Sequence, residues 1–112
     1  MPKDATEYIQ HIADECVFLL SACRGLSKDA FLLDEILKRA AVRSLEIIGE
    51  ATKNIAPEFK EKWHQIPWKN MAGMRDRLIH DYMGTNYQIV WDVIVNKIPE
   101  LEMQLKEVME SR

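Results

Sequence analysis

The chain reads as an all-α protein, an up-and-down bundle of four main helices plus one short helix, in a single domain covering residues 1–112. Three observations predict this. Apolar residues recur at three- and four-residue spacing along nearly the whole chain, which is the spacing of one helix face. No stretch alternates apolar and polar residues with the period of two that a half-buried strand needs. Gly25, Pro57, Pro67 and Gly84 fall between the periodic stretches, as stops and starts.

The first helix is expected over about Asp4 to Arg24, with Ile9, Ile12, Ala13, Cys16, Leu19, Leu20 and Cys23 on one face. Gly25 supplies its stop, and Ser27 is an N-cap for the next. The second helix is expected to be long, about Asp29 to Ile55. Its stripe is Leu33, Leu37, Ala40, Ser44, Ile48, Ala51 and Ile55, widened by Ile36, Leu45 and Ile47. Pro57 ends it and opens a short helix over 57–63. Gln65-Ile-Pro-Trp is a connector, and a third main helix runs from about Trp68 to Met83 before Gly84. Asn86 caps the fourth, with Ile89, Val90, Val93, Ile94 and Ile98 inward, and Pro99 begins or kinks its last stretch to Met109.

With 112 residues, 47% of them hydrophobic and 29% charged, the chain can bury a core without disulfides or metals. No apolar run approaches the ~20 residues that cross a bilayer, and the start MPKDATEYIQ is too polar for a signal peptide, so cytoplasmic residence is expected. Cys16 and Cys23 are seven apart on one helix, ~10 Å along its axis, and read as free thiols packed as small hydrophobes. Zinc-type Cys/His spacing and a glycine-rich phosphate loop are both missing, so neither metal nor cofactor is expected.

The net charge of −3 is unevenly spread. Residues 1–37 balance to −4, residues 38–77 to +4 and residues 78–112 to −3. A protein that coats nucleic acid is usually basic throughout. This chain is suited to gripping a few phosphates locally, unless the excess is a chance feature of solvated helix faces.

The stretch richest in chemistry is Arg75-Asp-Arg-Leu-Ile-His80-Asp-Tyr82. Arginine holds phosphoryl oxygens in a forked geometry, and histidine moves protons near neutral pH. RNA brings its own nucleophile, the 2′-hydroxyl. Cutting it needs a base, an acid and a cation at the crowded phosphorus, with no serine, cysteine or metal. His80 is the candidate acid–base group and Arg75 the phosphate clamp.

The two are about 140° apart on an ideal helix. Either the helix begins near Arg75, or two protomers pool their residues across a two-fold axis, which is the preferred solution. Asp76, one turn before His80, is placed to orient the imidazole. Arg77 either joins the phosphate site or pairs with Asp81. Glu50 either holds Arg75 from the second helix or is simply exposed. Tyr82 reads equally as a packed phenol or a modification site, and Trp63, Trp68 and Trp91 as packing anchors.

The order of these motifs is a long helix with Arg43-Ser-Leu-Glu-Ile-Ile-Gly-Glu50, then Ile66-Pro-Trp68, then Arg75-x4-His80-x-Tyr82, then Ile89-Val-Trp91. Over essentially the whole chain it resembles the HepT-like toxins of the HEPN superfamily. The resemblance implies a HEPN-like helical bundle, a homodimer, and a metal-independent endoribonuclease whose catalytic pair is Arg75 and His80. It also implies a toxin of a type II or type VII toxin–antitoxin system. The partner would be an MNT-type nucleotidyltransferase antitoxin, which in some members transfers AMP to the tyrosine matching Tyr82. One departure stands out: Asp76 occupies a position where many members have Asn.

Two other classes compete with the enzyme reading. One is a non-catalytic nucleotide- or RNA-binding helical dimer, and the other a structural dimer presenting a helix face to a partner. RNA cleavage in EDTA separates the enzyme from both.

Overall fold

Helix α1 (Ala5–Ala22) forms because Ile9, Ile12, Ala13, Cys16 and Leu19 lie on one stripe, and all five are buried. A computed structural model describes residues 5–78 and 84–111, with Arg75 described by its backbone alone. Just past α1 the chain turns through Gly25, whose φ of 71° is left-handed and suits glycine. Ser27 then caps α2 (Lys28–Leu33), its Oγ accepting from the Ala30 N–H at 3.1 Å.

The expected second helix is broken. At Asp34 the backbone leaves the helical region (φ −92°, ψ 96°), and its own N–H closes α2 on the Phe31 carbonyl. Its carboxylate accepts from the Leu37 N–H at 2.9 Å and opens α3 (Glu35–Lys53). A side chain that supplies a ready cap thus overrides an unbroken apolar period. The break also re-aims the stripe. Leu33 and Ile36, expected inward, are 82% and 83% exposed. Phe31 is fully buried instead, 5.1 Å from Trp91 between ring centroids.

Helix α3 packs against α1 along its length, burying Ala41, Val42, Leu45 and Ile48. The one carboxylate–hydroxyl contact across that interface among the described residues runs from Ser44 Oγ to Glu15 Oε1 at 2.7 Å. Pro57 in the first turn opens the short α4 (Pro57–Lys62), as expected. The connector after it is pinned by Trp68, whose indole N–H reaches both the Lys60 and Trp63 carbonyls (3.1 and 3.0 Å).

The expected third helix is also divided. It runs as α5 (Trp68–Ala72) and α6 (Met74–Leu78) with Gly73 as the joint. Asn86 caps α7 (Tyr87–Asn96) through its Oδ1, which accepts from Gln88 and Ile89. Pro99 begins a helix and does not kink one: α8 (Ile98–Glu110) follows α7 after Lys97 alone. Ile98, Leu101, Leu105 and Val108 cover α1 and α7. The all-α bundle holds, with finer segmentation than expected, and Cys16 and Cys23 are buried free thiols. Among the described residues, no helix is long and apolar enough to cross a membrane.

Candidate active site

The motif's position follows from how α6 is anchored. Met74 and Leu78, one turn apart, are both buried and hold this short helix against α3 and α7. Between them Asp76 and Arg77 are exposed. The Arg77 N–H closes the turn on the Gly73 carbonyl at 3.1 Å. What seats the α5–α6 pair is Gly49: a Cβ built there would lie 3.2 Å from the Met71 carbonyl oxygen and 3.7 Å from that of Ala72. Only a residue without a side chain leaves α3 flat enough for the end of α5 to lie on it.

Glu50 follows Gly49 on α3 and is exposed, its carbonyl accepting from Asn54 Nδ2 at 2.8 Å. The structure therefore brings Glu50, Asp76 and Arg77 to the surface on two helices in contact. His80, Asp81, Tyr82 and the side chain of Arg75 lie outside the described residues. With them lie the expected Arg75/His80 pair, the Asp76–His80 contact, the Arg77–Asp81 alternative and the Glu50–Arg75 contact. Among the described residues Arg77 has no ion-pair partner.

The basic excess of the chain's middle third separates in space. Lys38 and Arg39 are held by Glu35 at 2.8 and 3.8 Å, and Lys38 lies 4.7 Å above the Tyr87 ring. The hydrogen bond from Lys38 also holds the Glu35 carboxyl below the usual range. Lys60, His64 and Lys69 instead gather, with Glu61 among them, beside the connector around a shallow depression that includes Trp68. All three tryptophans are packing residues, Trp68 buried and Trp63 and Trp91 against the core.

On the other side of the connector, sharing Pro67 and Asn70 with that depression, is a cavity of about 300 Å³. It opens between α5–α6 and the α7–α8 pair. Met71, Met74 and Val93 form its floor, while Arg77, Asp92, Lys97 and Glu100 stand at its rim. Sequence reading missed it, because its walls come from five helices and the connector, and no local spacing marks them.

The buried thiols lie elsewhere. Burial, reinforced by the charges of Glu102 and Glu15, pushes Cys16 up to about 12, and burial raises Cys23 as well. Neither is a nucleophile at neutral pH. Among the described residues, no three His, Cys, Asp or Glu side chains are grouped to hold a metal ion.

Comparison with known proteins adds a family. The sequence profile described as "Ribonuclease HepT-like" matches residues 4–108. A provisionally named RNase of Caldanaerobacter subterraneus subsp. tengcongensis is 53% identical over 109 residues, covering 97% of each chain. A provisionally named RNase of Methanocaldococcus jannaschii is 40% identical over 112 residues, 99% of this chain and 93% of its own. A protein named probable ribonuclease HepT, from Thermococcus cleftensis, is 36% identical over 108 residues, covering 96% of this chain and 98% of its own. No solved structure matches the chain.

Proposed function

The chain belongs to the HepT-like ribonuclease family, and on that footing we propose that it is a metal-independent endoribonuclease working through Arg75 and His80. One observation carries the reading. The Arg75-x4-His80-x-Tyr82 motif lies within the family match and starts on a helix whose outer edge carries Asp76 and Arg77 to solvent.

The chemistry is a transesterification. His80 takes the proton of the 2′-hydroxyl as that oxygen attacks phosphorus, and the bond to the 5′-oxygen breaks. An imidazolium, His80 of a second protomer, returns a proton to the departing oxygen. The products are a 2′,3′-cyclic phosphate and a 5′-hydroxyl. Arg75 meets the charge that builds on the phosphoryl oxygens. Asp76 favours the charged imidazole and so acts as a positioning residue.

In this reading the protein is the toxin of a toxin–antitoxin pair in the cytoplasm. It works as a homodimer with the two 75–82 segments around a shared cleft. A nucleotidyltransferase silences it by transferring AMP to Tyr82, which puts an anionic nucleotide at the mouth of the cleft.

The test is cleavage of bulk RNA by the purified chain in EDTA. Arg75→Ala and His80→Ala each lower the rate by roughly 10²–10⁴ with helicity intact. A substrate with 2′-deoxyribose at the cut resists. Full-rate cleavage by the His80→Ala protein, or equal cleavage of the deoxy substrate, would overturn the mechanism.

A further inference from the structure

The cavity between α5–α6 and α7–α8 has no part in the chemistry above, yet it is built like a ligand site. At about 300 Å³ it is at the small end of small-molecule pockets. Its floor contains two thioethers, Met71 and Met74, which are soft and favour contact with flat aromatic rings. Two of its lining residues are tied together, Gln104 Nε2 donating to the Gln65 carbonyl at 3.3 Å.

The rim carries both signs. Arg77 and Lys97 are cationic, Asp92 and Glu100 anionic, and all four are exposed. Asp92 gives one oxygen to Asn96 at 2.7 Å, which leaves the other to accept. A bare phosphate would meet two carboxylates here, and a plain hydrocarbon would leave four charges idle. A ligand with a flat ring, an anionic end and an N–H-donating edge satisfies every part. That is a nucleotide whose base bears an exocyclic amino group.

The cavity and the motif share one helix. Arg77 is two residues beyond Arg75 on α6, about 3 Å along the axis and about 160° around it, so the two positions are on opposite faces of α6. Across the connector lies the depression of Lys60, His64 and Lys69, with Glu61 among them, where the two lysines can meet further phosphates of the strand. We infer that this cavity is a base subsite for the RNA strand being cut, taking an amino-bearing base of that strand and disfavouring uracil. Asp92 and Glu100 do the selecting, because cytosine offers an amino group where uracil offers a carbonyl. The inference rests on the ribonuclease reading for its substrate, but the pocket can be tested without any cleavage.

The experiment titrates the full chain, labelled at its methionine methyls, with cytidine and uridine 5′-monophosphates and follows the methyls by NMR. Met71 and Met74 should move with the cytidine nucleotide while the exposed Met103 stays still. Uridine nucleotide should bind roughly five- to a hundredfold more weakly. The double variant Asp92→Asn with Glu100→Gln should keep the methyl shifts and lose the preference. In cleavage maps the wild-type chain should favour cuts with cytidine over uridine at a fixed distance from the cut, and the double variant should lose that preference.

Methyl shifts with cytidine nucleotide in a chain that cuts no RNA leave the subsite standing and remove the ribonuclease reading. Cleavage of RNA with Met71 and Met74 unmoved by either nucleotide does the reverse. Equal affinity for the two nucleotides overturns the inference. So do Met71 and Met74 shifts that follow protein concentration alone, which would make a second copy of the chain the occupant.

Discussion

Replacing Gly49 by alanine probes the contact that seats the motif helix. Two effects oppose each other. Alanine within α3 gains about 0.5–1 kcal/mol over glycine in helix propensity. Its Cβ, however, would stand 3.2 Å from the Met71 carbonyl oxygen, inside the 3.4 Å at which ordinary contact begins. The neighbour is helix backbone and not the tip of a flexible side chain, so α5 as a whole must retreat by a few tenths of an ångström. Overpacking of this kind costs about 1–3 kcal/mol. The expected net is a loss of about 1 kcal/mol, some 4–8 °C in Tm for a domain this size.

The retreat passes through Gly73 into α6. Cleavage should therefore fall about three- to tenfold at saturating RNA, a fraction of the 10²-fold that a 1 Å misplacement can cost. Gly25→Ala is the contrast. Its Cβ would meet open space, so only the left-handed φ of 71° is strained. That variant should lose about 1–2 kcal/mol of stability and none of its cleavage rate. If Gly49→Ala instead stabilises the fold by its full propensity gain and cuts RNA as fast as wild type, the α3–α5 contact does not set the motif's position.

Asp34→Ala should cost about 1 kcal/mol in urea denaturation, with Asp34→Asn recovering most of it, because the α3 cap at Leu37 is lost and then replaced. An unchanged urea midpoint would mean that the break at Asp34 owes nothing to its side chain. Cys16 gives an alkaline signature. Its folded value, about 12, is above the ordinary thiol value of 9.0, so the neutral buried thiol contributes stability fully below pH ~9 and loses it as pH rises towards 12. Wild type should lose about 1.4 kcal/mol per pH unit more than Cys16→Ala across that window. Parallel slopes in the two proteins would show that the thiol ionises as easily folded as unfolded.

Much of this bundle was legible because its signals are local. Ser27, Asn86, Gly25 and Pro57 act within one turn of themselves, and each does what its chemistry dictates. The stripe of α1 is read from spacing alone because that helix is regular over its described length. Asp34 defeated the same reasoning. A polar residue inside an apolar period looks like a solvent-face position until its carboxylate is seen closing on Leu37, and the error carried Leu33 and Ile36 to the wrong face.

The division at Gly73 was hidden for a related reason, since a helix tolerates an isolated glycine at a cost of about 1 kcal/mol relative to alanine. Of the candidate site, residue types and order were legible: Asp76, Arg77 and Glu50 are at the surface of touching helices. The cavity was not. Residues as far apart as Ile48 and Gln104 line it, and only packing brings them together.

The packing of α8 on α1 bears on when the protein becomes able to work. Synthesis runs from α1 towards α8, so the stripe of Ile9, Ile12, Cys16 and Leu19 emerges long before Leu101, Leu105 and Val108 exist to cover it. Until then α3 shields that stripe on one side only, and the α7–α8 wall of the cavity has not formed. A nascent chain is therefore an incomplete bundle until α8 has emerged. On the ribonuclease reading, competence to cut RNA waits for α8 to close over α1.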